Sequence, residues 1–269
     1  MIWVNGVSQA SIAPMDRGLA YGDGLFATMR SSECGILFFE QHQARLTAGA
    51  ARLGFDWQMS SALAEQLNTL AAQYPHHCIK LMITRGVGGR GYAPPEQVNV
   101  TEIVSVHPIP AHYAAWQQQG IRLKTSAVQL GHQPLLAGIK HLNRLEQVLI
   151  KSQPLPQGFD DWLVLDCNGQ VIESSMANIF FVKGHRVITP SLARCGVAGV
   201  MREQVMLALL ARQMNIDCLP FGAERLVEFD SAFITNSILG VVDVLAIDSH
   251  SFKPSPLTAD LRHTLSLSL

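Results

Sequence analysis

Two tight-turn dipeptides constrain this chain more than any other feature. Asn168-Gly169 lies inside "DWLVLDCNGQVIES" and Lys183-Gly184 inside "ANIFFVKGHRVITP", each between runs of β-branched and aromatic residues. An Asn-Gly pair accepts the positive φ angles of a hairpin turn, so the second half is expected to be built on antiparallel strands. Helical and strand periodicities surround these hairpins. "GVMREQVMLALLARQ" reads as a helix, "SAFITNS" and "VVDVLAI" as strands, and the C-terminus as a last helix. The first part reads as strands ("MIWVNG", "LFATMRSS", "GILFF"), two helices ("FEQHQARLTAGAARLG", "SALAEQLNTLAAQY") and strands again ("HCIKLMITRG", "TEIVSV"). The expectation is an α+β protein with an N-terminal domain over 1–106 and a C-terminal domain over 121–269. Residues 107–120, "HPIPAHYAAWQQQG", are expected to be the linker, having two prolines and few periodic apolar positions.

Charge and cysteine usage narrow the class of function. With 48% hydrophobic and 15% charged residues over 269 positions, the chain can fill a sizeable core. Its formal charge of -1, without a basic run, offers no footprint for nucleic acid or an anionic membrane. Five scattered cysteines contain no CxxC pair and no disulfide framework, which points to a reducing compartment. The start "MIWVNGVSQA" resembles no signal peptide, and no stretch approaches the roughly 20 apolar residues of a membrane helix. A cytoplasmic protein acting on small molecules is expected.

Several motifs do not carry chemistry on inspection. "RGVGGRGY" formally contains G-x-G-x-x-G at Gly86, Gly88 and Gly91, yet "YAPPEQ" follows, and paired prolines cannot open the helix that a dinucleotide site needs. A loop over a pocket is the better reading, with Arg85 and Arg90 as a carboxylate clamp. Ten histidines show no HExxH spacing, so no metal is expected. Ser174-Ser175 lacks the nucleophile elbow of a hydrolase. Lys140 remains. It precedes a run, "LNRLEQVLIKS", in which Leu142, Leu145, Val148 and Leu149 recur at helical spacing. A lysine at a helix start is most often a solvated surface residue. Here Gly138 permits close approach of another group, while Leu135, Leu136 and Ile139 are expected to desolvate the amine. Desolvation and the positive helix end would both favour a neutral, nucleophilic lysine.

Four segments in order then go beyond spacing: "DRGLAYGDGLFATMR" (16–30), "HQARL" (42–46), "AGIKHLNRLEQVL" (137–149) and "VIESSMANIFFV" (171–182). Together they resemble the fold-type IV pyridoxal-phosphate enzymes, a family with a small N-terminal α/β domain and a larger C-terminal domain with a barrel-like sheet, as in D-amino-acid aminotransferases. The resemblance implies pyridoxal 5'-phosphate as cofactor, with Lys140 joined to its aldehyde. It also implies that Arg45 binds the phosphate, that Glu173 holds a proton on the ring nitrogen, and that the N–H groups of Val200 and Met201 with the Thr235 hydroxyl form a phosphate cup. Bland readings of Arg45 and Glu173 are a solvated helix arginine and an exposed strand carboxylate.

Within the family, aminotransferases usually carry an aromatic residue and Glu after "GDG", whereas this chain has Phe26-Ala27-Thr28. "AGIKHLNRLEQVL" and "RGVGGRGY" are closely similar to the aminodeoxychorismate lyase branch. That likeness implies conversion of 4-amino-4-deoxychorismate to 4-aminobenzoate and pyruvate, a step of folate synthesis, with Lys140 and Thr28 as catalytic groups and Arg85 and Arg90 on the substrate. It also implies a homodimer. A D-amino-acid or branched-chain aminotransferase is the alternative within the fold, and a non-catalytic cofactor-binding protein is the alternative outside catalysis.

Overall fold

Strand alternation organises the N-terminal part: in Gly24–Ser32 the side chains of Leu25, Ala27 and Met29 are buried in a hydrophobic core, while Phe26 and Thr28 stand on the other face. The computed structural model describes residues 1–269 and divides into two units, Met1–Ile109 with Ile139–Asn143, and Pro110–Gly138 with Arg144–Leu269.

The first unit contains β1 (Ile2–Val4), β2 (Val7–Ser8), α1 (Arg17–Tyr21), β3 (Gly24–Ser32), β4 (Gly35–Ile36), α2 (Phe39–Leu53), α3 (Ser61–Gln73), β5 (His77–Thr84) and β6 (Thr101–Pro108). Its sheet runs β2-β1-β6-β5-β3-β4, antiparallel at every pairing. The inner face of β3 and β5 packs on Leu46 and Ala50 of α2 and on Leu63, Leu67 and Leu70 of α3. Contact between α2 and β3 is close enough that a Cβ on Gly49 would stand 3.0 Å from Leu25 Cδ1. A larger residue there would push α2, and the polar residues it carries, away from the sheet.

The second unit contains α4 (His112–Gln119), β7 (Ile121–Thr125), α5 (Leu145–Ser152), β8 (Asp161–Leu165), β9 (Val171–Ser174), β10 (Asn178–Lys183), β11 (Arg186–Pro190), α6 (Val200–Ala211), β12 (Asn215–Leu219), β13 (Ser231–Asn236), β14 (Gly240–Ile247), β15 (His250–Ser251) and α7 (Pro256–Thr264). Six strands close a ring in the order β10-β13-β14-β7-β8-β9, with the pair Asn178↔Glu173 joining β9 back to β10. Closure removes the sheet edges of these six strands. Strands β11 and β12 extend from β10, and Phe180 stacks on Phe233 with ring centres 4.9 Å apart. The fold is α+β, as expected, with the barrel in the larger unit. No helix is long and apolar enough to cross a membrane.

Three local expectations need correction. Residues 107–120 are not a linker: 107–108 finish β6, and α4 belongs to the second unit, where buried Gln117 donates to the carbonyls of Leu239 and Leu267 at 2.7 and 2.8 Å. Lys140 does not open a helix, since α5 begins only at Leu145. Residues 140–142 run beside β3 through an isolated bridge of His141 to Leu25, and their backbone serves β3 instead: Phe26 N donates to Lys140 O at 3.0 Å, and Leu142 N to Gly24 O at 2.9 Å. The helical stripe faces outward, with Leu145, Val148 and Leu149 exposed by 75, 55 and 57%, and Leu135 is 79% exposed and desolvates nothing. Of the residues expected to shield the amine, Ile139 is the one built into a core.

Candidate active site

In the first unit the polar residues gather through α2, the outer face of β3 and the 139–143 segment. His42 and Arg45 lie one helical turn apart, so α2 presents both on one side. Each carries buried polar atoms without a hydrogen-bond partner, both ring nitrogens of His42 and Nε of Arg45. Burial pushes Arg45 down to about 10. Burial, followed by the charges of Arg45 and Lys140, pushes His42 down to about 3, so the imidazole is neutral. Lys140 Nζ stands 4.6 Å from the centre of the Phe26 ring, and Lys80 Nζ is 5.0 Å from the same ring. Thr28 shares the strand face of Phe26 and is opposite Lys80 in the β3–β5 register. The arrangement is a cationic surface with an aromatic floor and one hydroxyl nearby.

Arg85 is not part of that surface. Its Nε bonds to Asp23 at 2.8 Å, its two terminal nitrogens donate to the carbonyls of Gly54 and Leu53 at 3.0 and 2.7 Å, and the guanidinium lies 4.9 Å over the Phe55 ring. A guanidinium so engaged is a structural fork rather than a substrate clamp. Asp23 also accepts from Arg17 Nε at 2.8 Å, while the Arg17 terminal nitrogens hold the carbonyls of Gly91, Tyr92 and Ala93. The "RGVGGRGY" loop is therefore tied to the "GDG" segment through Arg17, and Arg90 is exposed on it.

In the second unit Asn178 is the organiser. Glu173 on β9 is buried, and its Oε2 accepts from Val197 N at 3.1 Å. Asn178 Nδ2 donates to Val197 O at 2.8 Å and its Oδ1 accepts from Gly199 N at 3.2 Å, so the 197–199 turn is held against both residues. Gly199 precedes α6 without a side-chain cap, and a Cβ there would collide with Asn178 Oδ1. Val200 and Met201 thus open a helix whose first N–H groups lack intrahelical acceptors, a site suited to an anion. Thr235 is opposite Asn178 on β13, with its hydroxyl donating to Gly240 O at 2.8 Å. Arg144, lowered by burial, also feels the opposing charge of Glu173.

The donor set matches pyridoxal 5'-phosphate. In the first unit Arg45 suits a phosphate and Lys140 an aldehyde; in the second, taken by itself, the α6 start suits an anion and Glu173 a protonated ring nitrogen. His42 and Asn178 had no assigned role in the sequence reading. The spacing of His42 to Arg45 was a usable signal, whereas Asn178 becomes visible only when β9 and β10 close the barrel.

The class IV aminotransferase model matches residues 24–247, so the chain belongs to that family. Among its relatives, an aminodeoxychorismate lyase of Vibrio harveyi is 37% identical over 94% of this chain and 93% of its own length. The crystal structure of 4-amino-4-deoxychorismate lyase from Pseudomonas aeruginosa superposes with a TM-score of 0.94 at 37% identity, covering 100% of both chains. A putative branched-chain-amino-acid aminotransferase of Methanocaldococcus jannaschii is 31% identical over 92% of this chain and 88% of its own length.

Two outcomes follow from this geometry. Arg85→Met should lower stability by roughly 3 kcal/mol, the low end for breaking a buried pair, because Arg17 stays on Asp23. Denaturant unfolding measures this, and a raised KM at unchanged stability would return Arg85 to the substrate. His42, ordinarily near 6.5, is depressed in the folded state, so the unfolded chain binds its proton first. The stability it contributes is complete above about 6.5 and is lost as pH falls toward 3, amounting to about 2 kcal/mol by pH 5. Unfolding at pH 7.5 and pH 5 should show this loss, and His42→Leu should remove it.

Proposed function

We propose that this chain converts 4-amino-4-deoxychorismate to 4-aminobenzoate and pyruvate with pyridoxal 5'-phosphate as cofactor. What carries the reading is full-length similarity to lyases of that name, supported by an unpartnered buried Arg45 Nε in the first unit and, in the second, by Glu173 and the uncapped α6 start. Arg45, Val200, Met201 and Thr235 hold the phosphate end of the cofactor, and Glu173 faces its ring nitrogen. When bound, the cofactor supplies an electron sink for the charge left by proton removal.

Lys140 is the base that takes the proton from the amino-bearing carbon. Breakage of the neighbouring carbon–oxygen bond aromatises the ring and releases the enol of pyruvate, whose oxygen needs one proton. Thr28, on the same strand face as Phe26, relays that proton from Lys140 or water, since a hydroxyl alone is a poor acid. With Arg85 engaged elsewhere, the substrate carboxylates fall to Lys80, beside Thr28, and to Arg90 on the loop that Arg17 holds. The outward stripe of Leu135, Leu145, Val148 and Leu149 supports a homodimer. Five free thiols accord with a cytoplasmic setting.

Pyruvate release from 4-amino-4-deoxychorismate tests the reaction. Lys140→Ala should lose nearly all turnover while still binding the cofactor through its phosphate, read as cofactor retained on gel filtration. Thr28→Val keeps volume and deletes the hydroxyl, and should slow pyruvate release by roughly 10²-fold while Lys140-dependent exchange of the substrate proton with deuterated solvent persists. Equal loss of both rates would reduce Thr28 to a substrate-positioning group. If the wild-type protein releases no pyruvate but transfers the amino group of D-alanine or a branched-chain amino acid to 2-oxoglutarate, the aminotransferase reading replaces the lyase.

A further inference from the structure

A second cluster of chemically capable side chains lies in the second unit, drawn from three separate segments. His132 Nε2 is 2.7 Å from Asp166 Oδ2, and one ligand atom from each of His132, Asp166 and Cys195 lies within 4.8 Å of the others. The imidazole is 22% exposed, whereas Asp166 and Cys195 are buried, which leaves one approach from solvent. Beneath them lies an apolar cluster of Leu130, Ile150, Trp162, Val164 and Ile172. Nothing in the proposed reaction uses these three residues.

The segments are fixed before any ligand arrives. Leu130 N donates to Leu165 O and Cys167 N to Leu130 O, at 2.9 and 3.0 Å, while Gln133 N donates to Arg194 O at 2.8 Å. Asp166 Oδ1 accepts from the backbone N–H groups of Asn168 and Gln170, both at 2.9 Å, which orients its other oxygen toward His132. Such outer hydrogen bonds are what orient a coordinating carboxylate. The surroundings are also anionic. Apart from burial, it is Asp166, Glu173 and Glu146 that push the Cys195 thiol up, to about 12.

We propose that His132, Asp166 and Cys195 bind one Zn²⁺ ion in a structural site. One imidazole, one carboxylate and one thiolate form a set that zinc accepts at tetrahedral geometry, with water in the fourth position. Metal–ligand distances of about 2.0–2.3 Å place tetrahedral ligand atoms roughly 3.3–3.6 Å apart, so the His132–Asp166 contact opens and the widest separation closes by about 1 Å. On binding, the Cys195 thiol gives its proton to solvent, the proton on His132 Nε2 passes through solvent to Nδ1 so that Nε2 offers its lone pair, the His132–Asp166 hydrogen bond is lost, and three metal–ligand bonds form without any redox change.

The site's position explains what the ion does. Gly138 N donates to Gly196 O at 2.9 Å and Ala198 N to Gly138 O at 3.0 Å, so residues 194–198 form the strap that holds the 133–138 segment. Val197 in that strap donates to Glu173. An ion joining His132 to Cys195 staples both sides of the strap within a few residues of the turn that positions Glu173. Its spacing in the chain, over 30 residues between successive ligands for the first two, follows none of the compact metal motifs.

The test uses untagged holoenzyme, stripped with chelator and then dialysed against micromolar ZnCl₂. One zinc per chain should be retained, its X-ray absorption fine structure showing one sulfur at about 2.3 Å with nitrogen and oxygen at about 2.0–2.1 Å. Cys195→Ala, which suits the apolar cluster, should remove the sulfur shell. His132→Gln, at a partly exposed position that does not endanger the fold, should weaken zinc by at least the roughly 10–100-fold that loss of an outer-shell partner costs. Zinc should raise the melting temperature of the wild type and leave that of His132→Gln unchanged. Retention of well under one zinc per chain, a spectrum without sulfur, or undiminished zinc in either variant would overturn the proposal.

Discussion

The site rests on a short backbone pairing: residues 140–142 laid along the edge of β3 at Gly24 and Phe26. Strand β5 takes the other edge of those residues, so the edge used by 140–142 is the remaining one. A bare Lys side chain is long and costs about 2 kcal/mol of rotamer entropy to place. Fixing its backbone by two hydrogen bonds and seating Ile139 in the core leaves only the side chain to be ordered. Gly138, at φ 80°, makes the turn into this segment, and its own hydrogen bonds go to Gly196 and Ala198. The lysine thus owes its position to sheet pairing rather than to a helix end.

Electrostatics divides the remaining work. In the first unit Arg45 and Lys140 bring positive charge to neutral His42, Lys80 shares the Phe26 ring with Lys140, and the buried Nε of Arg45 has no protein acceptor. A cation left so would be costly unless an anion completes it, which is the physical case for a phosphate-bearing ligand. In the second unit the carboxylate of Glu173 is held by one backbone N–H and by the Asn178 amide network. A neutral His42 matters here, because its protonation would add a third positive charge beside Arg45 and Lys140. Burial keeps it neutral without any hydrogen bond to enforce a tautomer.

Residues whose role follows from local pattern were legible in the sequence. The hairpins, α2, α3 and α6 follow their periodicities, and Arg45, partly buried on α2, and Glu173, buried on β9, lie on the elements expected of them. Even so, the Lys183-Gly184 turn moved by one residue, since Lys183 pairs with Arg186 and leaves Gly184-His185 as the loop. What failed were positions where two readings share one pattern. The stripe of Leu142, Leu145, Val148 and Leu149 suits a helix throughout, but long-range pairing with β3 captured its first part. Arg85 looked available because "TRG" adjoins a glycine loop. Its true partner, Asp23, lies 62 positions away, beyond any local signal. Arg17 was likewise invisible as the residue that ties down the 91–93 carbonyls.

Alternation along β3 gives a physical meaning to the departure from the aminotransferase pattern. Ala27 is 0% exposed and belongs to the hydrophobic core with Leu25 and Met29. A glutamate there would bring an unpaired carboxylate among Leu46, Leu81 and Ile83, a burial that proteins avoid unless the charge is matched. The strand in this chain therefore carries its chemistry on even-numbered positions: Phe26 under the Lys140 amine, Thr28 opposite Lys80, and buried Arg30 beyond. A one-residue slip would exchange core and site faces entirely, so the register of β3 against β5 is itself a functional constraint. With Ala27 committed to packing, the nearby proton donor or acceptor on that face of β3 is the Thr28 hydroxyl. That placement suits a reaction in which a leaving oxygen needs a proton.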